Sequence, residues 1–300
     1  MATNILSLPE QEFMLPGNRA CAGCSIGIIF RHVTKALDGK AAFVVPASCF
    51  TVLCGMYPSS SVTVPIINSV FPGTAACASG LAASLERQGK TDMTVVAMAG
   101  DGGTADIGIQ ALSGAAERGA NILFICYDNE AYMNTGTQRS GMTPLAARTS
   151  TTPTLGKIQP PKDMPAILEA HGIPYIATAS PGYPTDLYDK VQKARDIRGT
   201  RYMHLSAPCP AGWHYEAKDT VAMAKLAVET GTFILAETVE GVYRLTGRSL
   251  SMAKAGKRKP VREFIRTQGR FSRSSEEALD ELQQWVDNRW EAAVHRHETS

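Results

Sequence analysis

The sequence predicts an α/β protein built on a three-layer, doubly wound, mostly parallel sheet. Short apolar, β-branched runs such as residues 94–99 and 122–127 lack polar alternation, as strands buried on both faces do. Segments with helical spacing fall between them, so strand and helix alternate across residues 41–240. Gly100-Asp101-Gly102-Gly103 stands where one such strand gives way to a helix, a junction typical of open parallel sheets. With 300 residues, 44% hydrophobic and 19% charged, the chain can form one large core with appendages.

Taken in order, residues 1–40 read as an N-terminal arm carrying Cys21-Ala22-Gly23-Cys24 and a first helix over 25–37. Residues 41–240 form the α/β domain. It opens with an apolar run at 42–45 and continues with an Ala- and Ser-rich helix over 73–88, whose small side chains permit close packing. In the helix expected over 104–118, Ile107, Ile109, Leu112 and Ala115 recur at helical spacing, and Gly119 closes the run. Residues 144–165 hold many Thr, Pro and Lys without periodicity and predict a long loop, a lid or a partner contact. A helix over 184–198 with Thr185 as a possible cap, a strand over 202–206 and a helix over 217–230 ended by Gly231 complete the domain. Residues 241–300 change character. Arg248, Lys254, Lys257, Arg258, Lys259, Arg262, Arg266 and Arg270 make a basic stretch, open to reading as a solvated tail. A last helix follows, with Ser274 and Glu277 spaced as a capping box and Leu279, Leu282, Trp285, Val286 and Trp290 along one face.

The segment 98–136 carries the chemistry. Glycines on either side of Asp101 let a bulky anion approach the main chain, while Asp101 offers a carboxylate to a hard cation. The helix that follows turns its free N–H groups toward any bound phosphate. The next strand ends in Asp128-Asn129 and delivers a second oxygen donor to the same sheet edge. Asp101, the Asn129 side-chain oxygen and one nearby carbonyl would suffice for Mg²⁺, the remaining positions going to phosphate and water.

Seven cysteines cannot all pair, and the chain shows neither a basic, apolar leader nor an apolar run long enough to span a bilayer. A reducing, cytoplasmic setting is the expectation. The pair Cys21 and Cys24, then Cys49, then Cys209 before Pro210, are thiolates at irregular long-range spacing, which suits an iron–sulfur cluster. Zinc, a thioredoxin-like dithiol and inert core cysteines compete for the same residues. A zinc ribbon would repeat the Cys-x-x-Cys pair and a dithiol would follow a strand, yet spacing alone leaves cluster and zinc both open. Cys54, Cys77 and Cys126 sit among apolar or small residues and read as core. A net charge of +2 is silent about nucleic acid, and no recognition fold supports such a partner.

Gly-Asp-Gly followed by Asn129 after a βαβ crossover resembles the thiamine-diphosphate motif of transketolase-like, decarboxylase-like and 2-oxoacid-oxidising enzymes. The longer strings, Gly-Asp-Gly-Gly-Thr-Ala-Asp-Ile-Gly from Gly100 and Tyr-Asp-Asn-Glu-Ala-Tyr-Met-Asn-Thr-Gly from Tyr127, are similar to the β subunit of 2-oxoacid:ferredoxin oxidoreductases, the pyruvate synthase group above all. The resemblance implies a thiamine-diphosphate-binding fold with Asp101, Asn129 and the Ala131 carbonyl on Mg²⁺. Gly100, Gly102, Gly103 and Thr135 would lie around the cofactor, with Asn134 near the thiazolium and substrate. An Asx-type turn is an equal reading of Asn134. Glu130, between two expected ligands, reads as loop support, and His204 as a strand residue. The resemblance also implies a [4Fe-4S] cluster on Cys21, Cys24, Cys49 and Cys209.

A cluster in the same chain as a diphosphate site argues for oxidative decarboxylation, since a cluster carries electrons singly. The resemblance thus implies conversion of a 2-oxoacid to an acyl-coenzyme A and CO₂, with electrons passed to ferredoxin or another acceptor. It implies partner chains as well: an α subunit supplying the activating glutamate and a substrate-binding arginine, and γ and ferredoxin-like δ subunits or equivalents. The arm around Gln268-Gly269-Arg270-Phe271 would contact them. Pro16-Gly17-Asn18, Ala47-Ser48-Cys49-Phe50 and Phe71-Pro72-Gly73 depart from the family's usual Pro-Gly-His, Thr-Gly-Cys and Phe-Glu-Asn. They bear on the substrate: pyruvate by default, with phenylglyoxylate and oxalate open.

Overall fold

The computed structural model describes residues 3–300. Its frame is an eight-stranded sheet in the order β2-β1-β3-β4-β6-β5-β7-β8. The strands are β1 (Ala41–Pro46), β2 (Ile66–Ser69), β3 (Thr94–Gly100), β4 (Leu123–Asp128), β5 (Tyr175–Ala179), β6 (Arg201–Ser206), β7 (Ala236–Val239) and β8 (Val242–Leu245). The first six are parallel, and β7 and β8 add an antiparallel edge.

Every residue of β1, β4 and β6 is buried. Both faces are covered, which accounts for the apolar runs of β1 and β4, while β6 interleaves Arg201, His204 and Ser206 with its apolar residues. Period-two alternation deals Val96 and Met98 to one face, where they meet α1 (Ser25–Ala36) and α6 (Pro184–Asp196). Val95, Ala97 and Ala99 go to the other, against α3 (Thr74–Arg87), α4 (Ile109–Glu117) and α5 (Met164–Glu169). The expected three layers are therefore present, and α1 is one of their helices rather than part of a detached arm. The sheet likewise continues through β8, beyond residue 240.

Two short helices start at cysteines, α2 (Cys49–Cys54) and α7 (Pro210–Trp213), the latter with Cys209 as its N-cap. α8 (Thr220–Glu229) and α9 (Gly247–Ala255) lead into α10 (Val261–Ile265) and the long α11 (Glu276–Thr299). Ser275, not Ser274, caps α11, accepting from the Ala278 amide. Leu279, Leu282 and Val286 bury against Leu145, Ala146, Ala147, Val261, Ile265 and Phe271. The last helix thus docks on its own chain, and the base of the 144–165 loop is pinned beneath it.

The basic stretch is not a free tail. Arg258 pairs with Asp287, Lys259 with Glu229 at 2.8 Å, and Arg262 with Glu276 and Asp280 at 2.5 and 2.6 Å. Among the described residues, no helix is long and apolar enough to cross a membrane.

Candidate active site

Parallel strands present their carboxyl ends at one edge, and four neighbours in this sheet use that edge for the same purpose. β1 leads to Ser48-Cys49, β3 to Asp101, β4 to Asn129-Glu130-Ala131 and β6 to Cys209. Loops bearing cysteines thus flank the two that bear oxygen donors.

The expected cation ligands do meet. The Asn129 side-chain oxygen lies 3.0 Å from Asp101 Oδ1 and 2.9 Å from the Ala131 carbonyl oxygen. Turning the amide over would let its nitrogen donate to both oxygens. A carboxylate, an amide able to turn its oxygen inward and a main-chain carbonyl make an all-oxygen set whose chemistry fits Mg²⁺. The Asp101 carboxyl is 1% exposed; burial and the nearby Asp128 carboxylate push its pKa well above the ordinary 3.8. Such a group calls for a positive partner. The Ser140 hydroxyl already donates to its other oxygen.

Gly100 closes β3, and Gly102 and Gly103 open a π-helical turn, Gly102–Asp106, before α4. The continuous helix expected from residue 104 is therefore broken. A Cβ at Gly102 would collide with the Tyr132 ring, which is why that position stays bare. Asp106 closes the arrangement: it accepts from the Tyr132 hydroxyl at 3.0 Å, the Gly141 amide at 2.8 Å and Lys162 Nζ at 2.8 Å.

The same Asn129 amide reaches the cysteines, its nitrogen 4.0 Å from Cys49 Sγ. Cys49 Sγ is also 3.5 Å from Asn134 Oδ1. The Cys-x-x-Cys segment is tied to the Cys209 region by Ser25 Oγ donating to the Pro208 carbonyl at 3.0 Å and Thr220 Oγ1 to that of Gly23 at 2.6 Å. The four thiols consequently feel one another. Burial, then repulsion from Cys209, Cys24 and Cys21, raises Cys49 to about 12, and burial raises Cys24 to about 11. Burial raises Cys209 as well. Among the described residues no three His, Cys, Asp or Glu side chains approach closely enough to share one metal ion. Four thiols that perturb one another are soft donors, the chemistry that an iron–sulfur cluster and zinc both draw on. The chemistry of the four donors fits such a cluster.

Other expected residues fall elsewhere. Thr135 is exposed and its hydroxyl goes to Gln138 Oε1 at 2.5 Å, away from the oxygen cluster. His204, on β6, bonds Asp128 Oδ2 at 2.9 Å and the Tyr202 hydroxyl at 2.7 Å, as a strand residue would. Cys54 and Cys126 are buried and Cys77 is partly so. Ser140, Tyr132, Asp106, Trp213 and Arg270 all touch the site or its loops, and sequence reasoning gave none of them a role; Asp106, Tyr132 and Arg270 lay in segments already singled out. A cavity of about 510 Å³ lies behind the β4 loop, between Asp128, Glu130 and His204 and the α11 residues Trp285, Val286 and Arg289. None of the three clustered oxygen donors lines it.

The family model described as thiamine pyrophosphate enzyme, C-terminal TPP binding domain, matches residues 49–205, the stretch that carries Asp101 and Asn129. Pyruvate synthase subunit PorB of Methanothermobacter marburgensis is 47% identical over 287 residues, covering 94% of this chain and 98% of that one. This chain belongs to the β-subunit family of the 2-oxoacid:ferredoxin oxidoreductases. Ketoisovalerate oxidoreductase subunit VorB of Pyrococcus abyssi is a further relative, 42% identical over 95% of this chain and 94% of its own. A solved 2-oxoglutarate:ferredoxin oxidoreductase from Magnetococcus marinus shares the fold, with a TM-score of 0.59 and 18% identity over 87% of this chain and 97% of that one. Membership of this β-subunit family makes the chain part of an oxidoreductase that uses thiamine diphosphate.

Proposed function

We propose that the chain is the thiamine-diphosphate- and [4Fe-4S]-binding β subunit of a cytoplasmic complex that oxidatively decarboxylates pyruvate to acetyl-coenzyme A and CO₂, with ferredoxin as electron acceptor. One observation carries this reading: a single amide, Asn129, faces the Asp101–Ala131 oxygen pair with one end and Cys49 Sγ with the other. On this reading the site for a metal-bound diphosphate and the site for a cluster would adjoin one another. Pyruvate follows the three relatives of highest identity, PorB subunits at 44–47%; other PorB subunits, at 41% and 38%, fall level with or below VorB at 41–42%.

Asp101, Asn129 and the Ala131 carbonyl would hold Mg²⁺, with Gly100, Gly102 and Gly103 shaping the diphosphate turn. Cys21, Cys24, Cys49 and Cys209 would hold the cluster. Bound thiamine diphosphate supplies the nucleophile and electron sink for loss of CO₂ from a 2-oxoacid. The protein's own work is positional: Ser140 fixes the Asp101 carboxylate, and Asp106 ties the turn to the loop at Gly141. Asn134 is exposed beside Cys49, where its amide can meet the substrate carboxylate. The open face around Asn134 and Thr135 supports completion by an α subunit bringing a glutamate and an arginine, with γ and δ chains for onward electrons. Residues 241–300 and the N-terminal cysteine segment would contribute to these contacts.

The test is a complex purified through this subunit and assayed with pyruvate, 2-oxoisovalerate, phenylglyoxylate, oxalate and 2-oxoglutarate. Coenzyme-A-dependent ferredoxin reduction should be fastest with pyruvate, and the isolated chain should be inactive. A complex without thiamine diphosphate, or turnover by the isolated chain, would refute the assignment.

A further inference from the structure

Gln268-Gly269-Arg270-Phe271 belongs to the C-terminal arm, yet its arginine ends inside the core. Arg270 is 4% exposed. Its Nη1 stands 2.5 Å from Glu130 Oε2, and its guanidinium lies 4.1 Å over the Trp213 ring and 5.0 Å from that of Phe271. Nε donates to Gln268 Oε1 at 2.8 Å, and the Arg270 carbonyl accepts from the Arg148 amide at 3.0 Å.

Its two principal partners lead to two different loops. Glu130 separates Asn129 from Ala131 and holds φ +67°, a left-handed conformation that a non-glycine residue keeps only when its surroundings enforce it. The enforcing contacts are on hand: its amide donates to Asp128 Oδ1 at 2.9 Å, its carbonyl accepts from Thr143 Oγ1 at 2.6 Å, and its carboxylate meets Arg270. Trp213 closes α7, the helix capped by Cys209, and its Nε1 donates to the Asn129 carbonyl at 2.9 Å. One guanidinium therefore braces the loop of oxygen donors directly through Glu130 and indirectly through the indole it covers. It also covers the indole of Trp213, in the cluster against which Cys209 packs, so its positive charge stands beside the Cys209 segment.

We propose that Arg270 is a positioning residue: from the C-terminal arm it fixes the strained loop that offers Asn129 and Ala131 to Mg²⁺, and it supplies the cationic field beside the Cys209 corner of the cluster. This rests on the cofactor assignments proposed above. The planar fork matters separately from the charge, because only arginine can pair with a carboxylate and stack on an indole together. The two roles should separate on substitution.

The experiment uses purified complexes with Arg270→Met, Arg270→Lys and Trp213→Phe. Isothermal titration reads the dissociation constant of Mg²⁺–thiamine diphosphate, and redox titration followed by electron paramagnetic resonance reads the cluster potential. R270M should weaken cofactor binding at least about tenfold, the lower end of what outer-shell partners cost, and lower the potential, because a cation that favours the reduced cluster is gone. R270K should restore the potential but not the affinity. W213F should weaken affinity and leave the potential unchanged. A merely structural arginine would move both readouts together with stability. Should R270M fail to assemble, the split in R270K and W213F decides. Wild-type affinity in R270K and W213F, or a potential lost equally in R270K, overturns the proposal. A wild-type complex lacking both cofactors would instead overturn the assignments beneath it.

Discussion

Replacing Asp101 with asparagine should strengthen the empty fold while crippling the site. The carboxyl is 1% exposed, and burial together with Asp128 raises its pKa well above 3.8. An acid raised on folding keeps its proton after the unfolded chain has lost its own. Its contribution is therefore intact below pH 3.8 and is lost as pH climbs toward the folded value. That interval costs about 1.36 kcal/mol per pH unit, which sets a ceiling of about 4 kcal/mol at pH 7. Asparagine has no proton to lose and keeps an oxygen for the Ser140 hydroxyl. The D101N complex stripped of cofactor should match wild type near pH 4 and gain on it steadily toward pH 7, by no more than that ceiling. Binding of Mg²⁺–thiamine diphosphate should weaken by at least about a hundredfold, the upper end of what outer-shell partners cost. Calorimetric melting from pH 4 to 8 and isothermal titration measure the two effects. A D101N protein less stable than wild type at pH 7, or one that binds normally, would refute the reasoning.

Cys49→Ala should remove this subunit's share of the iron content and of the paramagnetic spectrum of the reduced complex while thiamine diphosphate, extracted and quantified, stays bound; undiminished iron content and spectrum would remove Cys49 from the ligand set. Gly102→Ala drives a methyl into the Tyr132 ring and should cost about 1–3 kcal/mol of stability, read by urea unfolding, as overpacking does. Glu12 is held at a pKa of about 2 by Arg31 and Lys35, at 2.5 and 2.9 Å. A depressed acid stabilises above its ordinary 4.5 and loses that stabilisation as pH falls toward 2. The stability gap between wild type and Glu12→Gln should shrink over that range, and a constant gap in unfolding midpoint would contradict the pairing.

Strands were legible because burial on both faces leaves an unbroken apolar signature, and β3 and β4 lie within a residue of the expected runs. Asp101 and Asn129 were legible because a strand end fixes where the next side chains go. The interruption at Gly102–Asp106 was not, since apolar spacing through Ile107 and Ile109 fits a straight helix and says nothing of Asp106 leaving to bond Gly141. Arg270 was hidden for a different reason. Within a run of cations it looks like a surface charge, and only the fold brings it to Glu130. Ser274 and Ser275 offer the same cap chemistry one residue apart, so the register of α11 was settled by packing of Leu279 and Leu282.

The nesting of the loops, with those after β1 and β6 outside those after β3 and β4, carries a consequence for biosynthesis. Between Cys49 and Cys209 the ribosome must deliver β2, β3, β4 and β5, and β6 must zip alongside β4 before the last sulfur arrives. On the proposed ligand set, a nascent chain halted before β6 would present three thiols and no basket. Iron and sulfide delivery then belongs after closure of the sheet, with the folded edge acting as the template that receives them.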